Sequence, residues 1–459
     1  MNIVYDKVKS PVRHKNYVPV PLTQETMSWR RDKILRKMKQ RNLDVLLVYG
    51  DREHSANFSY LTGWGPSFEE AMLVLHADGA CFLLLGNEML VMAKHALTQN
   101  TAIHVPHFSL PDQPMETEKT MEELFREAGL KNGQVIGSAG WKRFTSRLED
   151  NSAMLDTPAF IIDTVRKINP DGKLIAAGGI FNDAADGARV INNANEIAFF
   201  EYGAGLASAC MIDALEAAEV GKTELEIGAY LAPDGQLCSV TTTVATGEMY
   251  SNASIFPRNK KISLGDTFFI TLALAGGLTH RKAYAVSCTE EMPANAKDWL
   301  EKVAIPYYKA VAVWMEMIGI GVVGKEIYKA MQDVLPQEEH GWGLCPGHLT
   351  GIEEWLASPI TPASEIKLCS GMLMQMDIIV DYPDHFGANA EDCFAIADED
   401  LRKELAEKYP ETWARMQTRR AWIKDALGIE LKEEILPMSD MCADYRPYIF
   451  NREYGLKKA

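Results

Sequence analysis

The chain has 459 residues, 47% of them hydrophobic, and carries 47 lysines and arginines against 63 aspartates and glutamates, a formal net charge of −16. That length asks for more than one core and the composition can fill them, while the acidic balance excludes the basic surface that nucleic-acid phosphates require. No charged stub with an apolar segment behind it opens the sequence and no apolar run approaches a membrane span, so a cytoplasmic globular protein without membrane partners is expected.

In chain order, residues 1–25, with Pro11, Pro19 and Pro21 and little periodicity, read as an irregular arm. The pattern over 23–40 predicts a helix capped by Thr23, with Met27, Ile34, Leu35 and Met38 on one side. Residues 43–50 read as a buried strand, and 71–76 and 80–85 flank Ala77-Asp78-Gly79, a hairpin signal. A further strand starts at Gln134. Alternating strands and helices over 26–175 describe an α/β domain. His104 and His107 have the spacing of a metal pair, but a strand or turn points them apart and no acid follows closely, so they read as surface histidines. The eight cysteines, scattered from Cys81 to Cys442 without a Cys-x-x-Cys, read as buried thiols of a reducing compartment.

After the punctuation of Pro170-Asp171-Gly172 and Gly178-Gly179, a second domain is expected over 190–397. It opens with a long helix that the run Asn192 to Glu196 caps, and a shorter helix starts at Thr223. Residues 297–317 and 325–334 repeat this long-then-short pattern. The remaining segment, 398–459, is charged and helical at first and aromatic at its end (Tyr445, Tyr448, Phe450, Tyr454). It reads either as a lid or dimer arm or, the favoured expectation, as packing against its own domain.

The chemistry concentrates between Cys345 and Cys393. Gly347-His348-Leu349-Thr350-Gly351 precedes an apolar run over 372–380 of strand length that carries Asp377, and Asn389-Ala390-Glu391-Asp392 follows a turn. A carboxylate inside a sheet needs a cation, a hydrogen bond or a shifted pKa. These pieces resemble the metal-binding core of the creatinase, prolidase, aminopeptidase P and methionine aminopeptidase family, known as the pita-bread fold. Asp377 and Glu391 stand fourteen residues apart, as the two acidic strands of the shorter prolidases do, and His348 falls on the family's metal histidine. Asn57-Phe58-Ser59-Tyr60-Leu61-Thr62-Gly63, Asn195-Glu196-Ile197-Ala198 and Gly221-Lys222-Thr223-Glu224 resemble further family runs. The resemblance implies an amino-terminal α/β domain, a carboxy-terminal α+β pita-bread domain and a homodimer.

It also implies losses. Counting on from Gly265-Asp266, the family's two bridging aspartates fall on Thr271 and Lys282, and its two substrate histidines on Ser254 and Trp355. At most His348, Asp377 and Glu391 are left as metal ligands, and an ammonium stands beside them. The expectation is therefore no metal and no cofactor. It is of a metal-independent hydrolase or lyase acting on a small polar nitrogen compound, with His348, Glu391, Asp377 and Lys282 catalytic and Ser254, Thr271 and Trp355 binding the small-molecule substrate. A single-metal hydrolase using His348, Asp377 and Glu391, and a catalytically silent binding protein, are the alternatives. Lys282 is expected within about 4 Å of Asp377 or Glu391 as a counter-ion, with His348 at the rim.

Overall fold

A computed structural model describes residues 1–115, 118–248, 256–382 and 384–459. The chain begins with strand β1 (Ile3–Lys7), which pairs antiparallel with the last strand, β15 (Tyr454–Lys458). Two compact units are present, Leu22–Val190 on the one hand and Met1–Pro21 with Ile191–Ala459 on the other.

The smaller unit holds a six-stranded sheet of β2 (Val45–Gly50), β3 (Ala71–His76), β4 (Cys81–Leu85), β5 (Thr101–His104), β6 (Val135–Ala139) and β7 (Lys173–Ala176), in the order β5-β4-β3-β2-β6-β7. Every residue of β2 is buried, because apolar clusters cover both faces: Leu46 and Val48 pack with Ile34 and Met38 on one side, and Val45 and Leu47 with Phe125 and Ile161 on the other. The helix Gln24–Gln40 starts where Thr23 accepts a hydrogen bond from the Thr26 amide. Asp78 and Gly79, the latter at φ +93°, turn β3 into β4. Asn57, on the helix Ala56–Thr62, is internal and accepts a 2.9 Å hydrogen bond from Arg189. That short helix is what the Asn-x-x-Tyr-Leu-Thr-Gly run builds.

The larger unit is organised by a second sheet, of β8 (Thr243–Thr246), β9 (Thr267–Leu274), β10 (Gly277–Tyr284), β11 (His348–Leu349), β12 (Leu373–Met376), β13 (Asn389–Ile396) and β14 (Ile435–Pro437). Its order is β11-β12-β13-β10-β9-β8, with β14 paired to β13. The helix Ala194–Ala217 opens the unit with a reciprocal cap between Asn193 and Glu196. It is long and apolar enough to cross a membrane by length and composition, contrary to the reading of the sequence. Its apolarity serves a core instead: Leu206, Ala207 and Met211 pack on Phe268, Ile270 and Leu272 of β9.

The segment from Glu399 onward belongs to this unit. Two helices, Glu399–Lys408 and Pro410–Leu427, are followed by β14, which extends the sheet. The tail is bolted to the back of β10 by Arg281, whose guanidinium donates to the carbonyls of Met441 (2.6 Å) and Asp444 (2.9 Å) and to Asp392 Oδ2 (2.8 Å). Arg281 and Asp392 thus point to the rear of the sheet. The residues flanking them, His280, Lys282 and Glu391, point to the front by the alternation of a strand.

Candidate active site

Register places the functional side chains. In one row across the front of the sheet, Thr271 of β9 stands opposite His280 of β10, and His280 opposite Glu391 of β13. In the next row Phe269 stands opposite Lys282, and Lys282 opposite Asn389. The hairpin that sets this register is tight: Leu274 pairs with Gly277, leaving only Ala275 and Gly276 as the turn, with Gly276 at φ +109°. A Cβ there would lie 2.1 Å from the Phe200 carbonyl oxygen, so the position calls for glycine on both counts. Lys282 therefore stands one row away from Thr271. His280, not Lys282, faces Thr271 and Glu391.

Asp377 follows Met376, which pairs with Asp392, so it sits one residue past the end of β12 beside Glu391 and not within a strand. The strand expected over 372–380 is only four residues long. His348 enters from β11, preceded by Gly347 at φ +124°, whose absent Cβ lets the chain pass the Gln375 carbonyl. Its ring is fully buried instead of lying at a rim. Nδ1 donates to the Leu349 carbonyl at 3.1 Å, which turns Nε2 inward. One ligand atom each from His348, Asp377 and Glu391 can be chosen so that all lie within 4.8 Å of one another.

Two neighbours of His348 come from the loop that follows it. The chain folds back where Leu349 and Leu356–Ala357 exchange backbone hydrogen bonds of 2.7 and 2.9 Å. That return lays the Trp355 ring on the His348 ring, centroids 4.1 Å apart and 25° from parallel, and carries Glu354 Oε1 to 2.8 Å from His348 Nε2. At that distance the carboxylate and the imidazole form a charge pair.

Lys282 makes no ion pair within 4.0 Å among the described residues, correcting the expected counter-ion contact. Its ammonium lies 5.7 Å from the Phe269 ring centre and 5.9 Å from that of Phe386. Burial lowers its pKa, against the pull of Asp381, Asp377 and Glu391. Ser254 lies outside the described residues.

Burial is the first cause of the electrostatic shifts on the front face. Burial, then Asp377 and Glu354, raise the Glu391 carboxyl well above its ordinary range, and burial raises Asp377 although His348 and Lys282 oppose it. Burial, then Lys282 and Arg281, hold His280 neutral, well below the usual imidazole value. His348 is raised: burial works against its charge, and Glu354 and Asp377 outweigh it. Two acids this close cannot both ionise without a cation.

One divalent ion suits the donor set of an imidazole nitrogen and two carboxylates, with room for further ligands. Asp377 Oδ1 is buried with no hydrogen-bond partner, as the free lone pair of a ligand would be, and His348 Nε2 faces inward with Glu354 Oε1 at 2.8 Å. The expectation of no metal rested on the two lost aspartates, yet the remaining three ligand groups converge. A second ion does not fit, since the other half of the site offers the neutral Thr271, His280 and Asn389, shares only Glu391, and carries the Lys282 ammonium. Sequence reading missed His280, Asn389 and Glu354. The glycine pair at 276–277 could have signalled the tight hairpin, and Glu354 adjoins a tryptophan already singled out.

Residues 30–168 match the model of the Creatinase/Prolidase N-terminal domain and residues 199–398 that of Metallopeptidase family M24. Among solved structures the chain is similar to the prolidase from Pyrococcus horikoshii OT3, at 19% identity and TM-score 0.59 over 80% of this chain and 95% of that one. It is similar to the Xaa-Pro dipeptidase from Bacillus anthracis at 15% identity and TM-score 0.60, over 82% and 96%. The X-Pro aminopeptidase from Thermotoga maritima MSB8 gives 15% identity and TM-score 0.59, over 80% and 95%. No curated protein matches the chain.

Proposed function

The chain belongs to the creatinase/prolidase/aminopeptidase P family, and from that footing we propose that it is a hydrolase acting on a C–N bond of a small polar nitrogen compound around one divalent cation. His348, Asp377 and Glu391 would hold that ion. The observation that carries this reading is the convergence of their ligand atoms within 4.8 Å with Asp377 Oδ1 unpartnered. When bound, the ion supplies Lewis acidity toward the scissile carbonyl or amidine and lowers the pKa of water.

The remaining work falls to the chain. The Leu349 carbonyl fixes the His348 tautomer so that Nε2 faces inward, the orienting role a second group plays for a ligand histidine. Gln375 Nε2 donates to Glu391 Oε1 at 3.3 Å and holds that carboxylate in place. Glu354, partly open to solvent with its side chain 17% exposed, is the carboxylate placed to pass protons between the centre and water. Trp355 walls the approach.

A metal-independent mechanism is the second reading, and the 2.8 Å approach of Glu354 to His348 favours it, because a histidine beside a carboxylate is an acid–base pair without an ion. The test is elemental analysis and calorimetric titration with Zn2+, Mn2+ and Co2+. The first reading expects one equivalent per chain, lost in His348→Ala and Asp377→Asn, and chelator-sensitive turnover in a screen of small amides and amidines. Turnover that survives chelation would select the second. A homodimer in a reducing compartment completes the proposal: all eight cysteines are free thiols, and a monomeric mass by light scattering would remove the dimer.

A further inference from the structure

The half of the front face that does not suit a metal is itself unfinished. Thr271 Oγ1, His280 Nε2, and both Nδ2 and Oδ1 of Asn389 are buried without hydrogen-bond partners, and the three residues are 7%, 6% and 0% exposed. They are not scattered: the register puts them, with Lys282, on neighbouring positions of two adjacent rows. Native interiors rarely leave such groups unsatisfied, since each buried orphan costs free energy. We propose that Thr271, His280, Lys282 and Asn389 form a subsite for a carboxylate of the substrate, an inference that rests on reading the adjoining centre as hydrolytic.

The chemistry of the four groups selects the ligand. Lys282 brings an ammonium that no carboxylate approaches within 4.0 Å among the described residues, held between the Phe269 and Phe386 rings. An ammonium in that position repels a cationic group. Thr271 hydroxyl and Asn389 amide are neutral donors that can share the oxygens of an anion with it, and a charge-assisted contact is the stronger kind. Asn389 Oδ1 and His280 Nε2, an acceptor when the ring proton is on Nδ1 toward Glu391 Oε2 at 3.5 Å, remain for an N–H or O–H on the same molecule. Asp377, Asp381 and Glu391 act on Lys282 electrostatically and favour its charged form. Glu391 borders both halves, so the carboxylate and the bond to be cleaved belong to one small acid.

The test uses [1-13C]acetate as probe, titrated into the full-length protein and followed by 13C line broadening, with chloride at equal ionic strength as control. Wild type is expected to bind acetate saturably, and Lys282→Met to weaken it by about tenfold or more, as loss of a charge-assisted contact does. Thr271→Val, nearly the same shape and free of the folding risk at Lys282, is expected to weaken it several-fold. Absence of saturable binding by wild type, equal affinity in Lys282→Met and Thr271→Val, or displacement of acetate by methylammonium as a competitor would overturn the proposal. Metal equivalents measured on the same samples keep the two questions apart: the hydrolase reading fails by their absence from wild type, the subsite by loss of acetate binding alone.

Discussion

Replacing Arg281 by methionine tests whether the rear of the sheet holds the front in register. Arg281 is 4% exposed at its side chain and Asp392 is 0%, so solvent screens neither. The guanidinium donates to Asp392 Oδ2 (2.8 Å), to the carbonyls of Met441 (2.6 Å) and Asp444 (2.9 Å), to that of its neighbour His280 (2.7 Å) and, across the β10–β13 seam, to that of Glu391 (3.1 Å). Methionine fills much of the volume but leaves the carboxylate with only Ser439 and the Ala443 amide. Breaking one side of a buried pair costs about 3–5 kcal/mol, and four carbonyls lose a donor with it. Because two compact units are present, a single unfolding free energy is not the right readout. Hydrogen exchange on peptides spanning β10 and β13 is, with an expected acceleration of roughly a hundredfold or more for a loss of that size. Arg281→Met/Asp392→Leu, which removes both charges, should recover a large part of the loss. Acceleration below about fivefold, or a double variant no slower than the single one, would refute the argument that the ion pair fastens these strands.

Asp440 is lowered below the ordinary aspartate value: burial opposes this, and Arg419 and His14 outweigh it. Its folded-state pKa lies below its unfolded one, so its contribution is present above about pH 4 and is lost as pH falls through the folded value. Asp440→Asn should therefore melt lower than wild type at pH 7 and converge on it toward pH 3 in a thermal melt, and parallel curves would count against this. Gly276→Ala, with a Cβ 2.1 Å from the Phe200 oxygen and φ at +109°, should destabilise the larger unit by several degrees or more in Tm. It should also lower metal binding by shifting His280 against Glu391. An unchanged melt would show that the hairpin can relax. Trp355→Ala should leave stability nearly intact, the ring being 40% exposed, while raising KM for any substrate the screen finds; an unchanged KM would remove Trp355 from the approach.

Much of the outline was legible in the chain itself. Short apolar runs with turn residues between them marked β2, β3 and β4, and Thr23 and Asn193 marked the starts of two helices, because caps and hairpins are satisfied by residues a few positions apart. His348, Asp377 and Glu391, each in a short run, were singled out together, and their side chains converge. What the chain alone could not show was which neutral and basic residues share their space. One residue more or less in a turn moves every side chain of a strand to another row or another face. The two-residue turn at Ala275-Gly276 therefore sets His280 opposite Thr271 and Lys282 opposite Phe269. Glu354 reaches His348 only because the following loop folds back on Leu349. The carbonyls and Asp392 that occupy Arg281 come from β10, β13 and a tail 160 residues distant in sequence. Local chemistry writes elements into a sequence. Pairing between remote strands decides which of their side chains meet, since that depends on the sum of packing over the whole sheet.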